Sequence, residues 1–175
     1  MKRISTRWVL SLAPAAALLC AAGAAAAPAR ADVDFMKKAA QAGDMEMQAS
    51  TLAQDKASGA TVKDFAAQML KDHNAAAADL KQLAQEKGVD LPTAPASSDK
   101  KQLESLGRLS GTAFDRAYAD NVGVKAHIEA VTLFRNASQK ASDADVKAFA
   151  LKTLPTLEHH LDMARRMDAE LKGSK

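Results

Sequence analysis

Thr61 to Gly88 reads TVKDFAAQMLKDHNAAAADLKQLAQEKG, and the spacing of its apolar residues decides the fold class. Val62, Phe65, Met69, Ala76, Leu80 and Leu83 follow one another in steps of three and four, and His73 stands at the one gap in that series. Such a series is the inward seam of a helix in a bundle. Thr61 with Asp64 three residues later is a variant of the capping box, and Gly88 is a residue that accepts the left-handed conformation ending many helices.

Working outward, the same punctuation and periodicity recur. Asp34 is positioned to cap a first helix that runs to about Ala57 and stops at Ser58-Gly59, with Phe35, Ala39, Ala42, Ala49 and Ala53 along one face and Glu46 at the missing step. Val89 to Ser98, with Pro92 and Pro95, reads as a connection, and Asp99 to Ser110 as a short helix carrying Leu103, Leu106 and Leu109. Gly111 marks a break. Thr112 to Ser138 predicts a third long helix with Ala113, Ala117, Val124, Val131 and Phe134 inward, and Asp120 and His127 in register. Ser142 is placed to cap a fourth helix that reaches Leu171 before Gly173. Its stripe holds Val146, Phe149, Met163 and Met167 together with Thr153, Thr156 and His160, and Pro155 should kink it. No stretch alternates convincingly enough for a strand. The expected architecture is therefore all-α: a four-helix bundle with a short extra helix in the connection between long helices 2 and 3.

Each long helix thus places Glu or His on its inward line: Glu46, His73, His127 and His160. Their depths follow from the helical rise. Glu46 lies 13 residues before Gly59 and His73 lies 14 after it, so both sit about 20 Å from that turn. His127 lies 13 residues before Lys140, again about 20 Å deep. His160 lies 20 residues after Lys140, about 30 Å, which predicts a position more than one helical turn away from the other three.

The N-terminus has a different character. Lys2, Arg3 and Arg7 precede an alanine-rich apolar run from Trp8 to Ala27, and Ala29 and Ala31 flank Arg30. That is the order of a secretory signal peptide, with cleavage expected after Ala31, a mature domain over residues 32–175 and a periplasmic location. Leu19 before Cys20 is larger than a lipidation signal prefers, which argues against a lipoprotein. Removing the segment changes the charge. The full chain carries 24 basic and 21 acidic residues, and four basic residues leave with the segment, so 20 remain against 21. The basic excess belongs to the leader, and no basic surplus is left to suggest nucleic-acid binding. The mature chain has no cysteine, which excludes disulfides, thiolate metal sites and cysteine nucleophiles. After cleavage no membrane span is expected.

The chain resembles a bacterial family known as domain of unknown function 4142. The likeness runs from about Phe35 to Met167. It is carried by Ala42-Gly43 ahead of Glu46, Phe65-Ala66 leading to Asp72-His73, and Gly88-Val89-Asp90-Leu91-Pro92. Further marks are Phe114-Asp115-Arg116-Ala117-Tyr118, His127 ahead of Leu133-Phe134, and Thr153-Leu154-Pro155 followed by His160-Leu161. The resemblance implies an exported bundle with a ferritin-like fold and no agreed activity. It also implies that Glu46, His73, His127 and His160 occupy the family's polar positions. Where that pattern is expected to carry Glu before the last histidine, this chain has His159.

Two functional readings follow. In one, Glu46, His73, His127 and His160 bind a single transition-metal ion (Fe, Mn, Zn or Cu) without thiolates. In the other they form a buried polar network inside an envelope interaction or stress-protection protein, whose protein partner the sequence does not name. Ferritin-like di-iron chemistry needs Glu three residues before His on two helices, and no acidic residue stands three before any of the four histidines. Met45, Met47, Met69, Met163 and Met167 suit either soft-metal binding or plain core filling. His159 lies about 100° round the helix from His160 and belongs on the surface. Asp115, Arg116 and Tyr118 read as a surface or interhelical contact. Hydrolase elbows, phosphate loops and dinucleotide fingerprints are absent, so no familiar enzyme class is indicated. Bundles of this type commonly form homodimers, though no stretch marks the interface.

Overall fold

The computed structural model describes residues 27–173, and the leader reading and Cys20 lie outside them apart from its last few residues. Helix α1 spans Arg30–Lys56, α2 Ala60–Glu86 and α3 Ser97–Gly107. The third long helix is composite: α4, Gly111–Tyr118, passes into a π-helical segment, Ala119–Ala126, and then into α5, His127–Lys140. The last helix, α6, spans Ala144–Gly173. Among the described residues there is no strand, and no helix is long and apolar enough to cross a membrane.

The ends of these helices are secured differently from the local expectation. Asp34 lies inside α1, which begins four residues earlier with Ala29 at its cap position. Neither Thr61 nor Asp64 caps α2, whose cap residue is Gly59. Asp115 from the third long helix instead holds the turn ahead of α2: its carboxylate accepts the Ser58 amide at 3.1 Å, the Ser58 hydroxyl at 2.6 Å and the Gly59 amide at 2.9 Å. Asp32 does the same at the other end, accepting the amides of Ser142 and Asp143 at 3.2 and 2.8 Å. Asp143 rather than Ser142 caps α6, through the amides of Asp145 and Val146. A carboxylate that satisfies several turn amides across the bundle ties two elements together, which a local cap cannot do. Gly88 meets its expectation: at φ +66° it lets the Val89 amide reach back to the Ala84 carbonyl, 2.8 Å.

The π segment explains the one displaced seam. Counting back from His127 in steps of three and four predicts Val124, Asp120, Ala117 and Ala113 inward. The buried residues are instead Val122, Tyr118 and Phe114, while Ala113 is exposed. A π turn adds one residue, so the seam passes from Tyr118 to Val122 to His127 and every earlier position moves over by one. Asp120 accordingly faces outward, paired with Lys125 at 2.6 Å. Gly123 makes the segment's packing feasible, because a Cβ there would stand 3.0 Å from the Ala164 Cβ on α6. Pro155 is accommodated within a continuous α6. The amide it lacks would have served the carbonyl of Leu151, a residue 55% exposed, so the loss falls on the solvent side.

Two apolar clusters fill the bundle. One gathers Phe35, Phe134 and Phe149, with ring centroids 5.1–6.3 Å apart. The other gathers Met69, Phe65, Phe114, Tyr118 and Met167. Along every long helix the Glu or His position falls between residues of the two clusters, so the four polar groups form one layer at mid-bundle.

Candidate metal centre

That layer contains all four sequence-nominated residues, each at most 7% exposed. His73, His127 and His160 each offer one nitrogen to a group lying within 4.8 Å of one another. Their ring centroids are 5.5–5.8 Å apart, with His73 and His160 stacked and His127 edge-on to both. His160 is therefore level with the others, correcting the expectation that it lies more than a turn away. Residues 141–143 cross the end of the bundle and add no depth, so the count begins at Ala144. Sixteen residues then give about 24 Å against about 20 Å for His127, a remainder that imidazole side chains span. His159 is exposed, as its position on the helix requires.

Each imidazole has one nitrogen engaged and one without a protein partner. His127 Nδ1 is 3.0 Å from the Val122 carbonyl, which can only accept, so Nδ1 carries the proton and Nε2 the lone pair. His160 Nε2 donates to the Asp72 carboxylate at 2.9 Å, leaving the lone pair on Nδ1. His73 Nδ1 faces Glu46 Oε2 at 3.4 Å. The remaining nitrogens, His73 Nε2, His127 Nε2 and His160 Nδ1, are buried and unpartnered, as is Glu46 Oε1. Buried polar atoms without partners each cost about 1–3 kcal/mol, so four in one layer demand a physical reason.

Glu46 stands outside the trio of nitrogens, 3.4 Å from His73 Nδ1 and 3.5 Å from His127 Nδ1, behind both rings. Asp72 plays the corresponding part for His160 and is itself held by the Gln68 amide at 2.6 Å. The sequence reading did not nominate Asp72, since it sits one residue off the inward line of α2. Its adjacency to His73 was visible, but its partnership with α6 is a tertiary fact. Phe65 lies beneath the layer, its ring centroid 6.3–6.4 Å from His127 and His160. Ser50 and Tyr118 hydrogen-bond at 2.7 Å nearby, and the Ser50 hydroxyl also donates to the Glu46 carbonyl.

Burial sets the protonation states. It pushes His73 down to about 3, helped by His127 and His160, and His127 down to about 4 against the pull of its carbonyl partner. His160 is lowered by burial too, opposed by Asp72. Burial raises Glu46 to about 8, with the charge of Asp99 adding to the effect. At neutral pH the layer therefore holds three neutral imidazoles, the form that ligates metals, beside a protonated carboxyl.

No curated protein matches the chain at a significant level. The fold is similar to a solved structure described as the crystal structure of a DUF305 fragment from Deinococcus radiodurans, with a TM-score of 0.70 at 14% identity. The likeness covers 83% of this chain and 97% of that one, and it establishes a helical, ferritin-like type of bundle. The three-histidine layer and its bundle are thus features of a chain that belongs to the family described as domain of unknown function DUF4142, whose model matches residues 18–167.

Proposed function

We propose that this protein binds one transition-metal ion through His73 Nε2, His127 Nε2 and His160 Nδ1, with Glu46, expected from the sequence as a fourth ligand, instead orienting the rings together with Asp72. The supporting observation is the convergence of three buried imidazoles, each with its second nitrogen directed to a carboxylate or carbonyl and its other nitrogen unpartnered. Outer partners of this kind fix the tautomer and orient a ligating imidazole. An all-imidazole set suits Zn, Cu or Fe, and Mn less well. A tetrahedral ion with bonds near 2.05 Å needs nitrogens about 3.3 Å apart, so the rings must draw in on binding. We place the mature domain, residues 32–175, in the periplasm, where its lack of cysteine is no handicap and its role would be to sequester or sense the ion.

A second reading keeps the histidines as structural members of a buried polar layer in an envelope interaction or stress-protection protein. The spread of the nitrogens, wider than a bound ion requires, favours it. Elemental analysis and titration of untagged protein with Fe(II), Mn(II), Zn(II) and Cu(I) separate the two. About one equivalent per chain, abolished in the His73→Ala, His127→Ala double variant, is expected. Stoichiometry near zero for all four ions would leave the structural reading standing.

A further inference from the structure

Each histidine of the layer has a partner behind it, and the three partners differ in how firmly they are held. Val122 offers His127 a backbone carbonyl, fixed by the π segment itself. Glu46, behind His73, is buried, its side chain 2% exposed. Asp72, behind His160, is the exception: its side chain is 23% exposed. A carboxylate at the rim of the bundle can turn outward and exchange its protein hydrogen bond for one to water at little cost. His160 is fully buried, so its Nε2 would then be left without an acceptor.

Gln68 stands one helical turn before Asp72 on α2 and closes that escape. Its Nε2 donates to Asp72 Oδ2 at 2.6 Å, and His160 Nε2 donates to the same oxygen at 2.9 Å. Two donors, one from α2 and one from α6, thus hold a single oxygen between them. Amide and carboxylate side chains four residues apart face each other on a helix, and a bond to a carboxylate is stronger than one between neutral groups. A carboxylate oxygen here only accepts, so the arrangement keeps the proton on His160 Nε2 and leaves the lone pair on the buried, unpartnered Nδ1.

We infer that Gln68 is a positioning residue of the metal centre: by pinning Asp72 Oδ2 against His160 Nε2, it determines that His160 meets the ion through Nδ1. This rests on the metal-binding reading and deepens it. The ligand carried by α6 is oriented from α2, the helix that also carries His73, so one element sets both of the stacked rings.

Three variants test it. Gln68→Leu removes the donor and keeps a good helix former. Gln68→Glu keeps the shape and sets a second carboxylate against Asp72, and Gln68→Lys restores a donor. Long-range 15N–1H correlation spectra of the metal-free protein report which nitrogen of each imidazole carries the proton. Titration with Fe(II), Mn(II), Zn(II) and Cu(I) in turn reports affinity, and thermal melting checks that each variant is folded. The parent should show Nε2–H at His160. The Leu and Glu variants should admit the Nδ1–H form at His160 alone, leaving His73 and His127 unchanged, and bind the ion about tenfold more weakly, the low end of the range for losing an outer partner. Gln68→Lys should return both readouts to the parent values. A general loss of stability would not single out one imidazole. If the parent takes up an ion and both readouts stay unchanged in the Leu and Glu variants, this inference alone is overturned. Weaker binding with the parent's proton placement at His160 would overturn it too. Uptake of none of the four ions by the parent would overturn the metal-binding reading itself.

Discussion

Glu46 and the histidines titrate in opposite directions, and that opposition has a measurable consequence. In the metal-free protein Glu46 ionises near 8, against 4.5 as a free side chain, so its contribution to stability is complete below pH 4.5 and is lost as pH rises toward 8. His73 and His127 ionise near 3 and 4 against 6.5, so theirs is complete above pH 6.5 and is lost as pH falls. His160, also lowered, steepens the acid side. Each proton is worth about 1.4 kcal/mol per pH unit. Between pH 4.5 and 6.5 the histidines outweigh the single carboxyl; above 6.5 only Glu46 remains. Chelator-treated protein should therefore be most stable near pH 6.5. Glu46→Gln should remove the decline between pH 6.5 and 8 and keep the acid limb, as read by denaturant unfolding across pH. A decline that persists in the variant would mean that the carboxyl is already ionised in the native layer.

At the scale of the element, the π segment governs where His127 points. The Val122 carbonyl that accepts the hydrogen bond from His127 Nδ1–H lies five residues earlier, a relation the widened turn supplies and a regular α-helix does not. Deleting Lys125, an exposed residue in that segment, would restore a continuous α-helical count from Tyr118 to the histidine. Circular dichroism should then show helix content retained. Metal affinity should fall about tenfold or more, the usual effect of losing a partner that orients a ligating imidazole. Unchanged affinity would mean that the segment does not position the ring. Nothing local announces it: Ala119-Asp-Asn-Val-Gly-Val-Lys-Ala126 has helix-compatible composition, and its only unusual member is Gly123. The glycine reads as a weak point in a helix until α6 is seen pressed against it.

For the whole molecule, the three histidines arrive from α2, α5 and α6, so an ion among them cross-links three helices at mid-length. Ligand at a hundred times its dissociation constant adds about 2.7 kcal/mol to a fold that binds only when folded. For a domain of this size that raises the melting temperature by about 5–10 °C, which differential scanning calorimetry with and without saturating metal will detect. A shift of the same size in the His73→Ala, His127→Ala double variant would place the ion elsewhere.

Much of this was legible in the sequence. Seam spacing and glycine punctuation determine the number of helices, the short helix in the long connection and the inward placement of Glu46, His73, His127 and His160, because an apolar stripe of helical period can be buried in only one way. The depths of the first three polar groups followed from residue counts alone, since rise per residue is nearly constant. Other features depend on chain segments far apart in sequence, and only the tertiary structure decided them. His160 joins the layer because the turn before Ala144 consumes residues without adding depth. Asp72 becomes a partner of His160 across 88 residues, and Asp115 and Asp32 cap turns 56 to 111 residues away. Seam periodicity records which side of a helix is apolar. It carries no record of how an extra residue in a π turn rotates that side, or of which distant amide a carboxylate will satisfy, because both are settled by packing between elements.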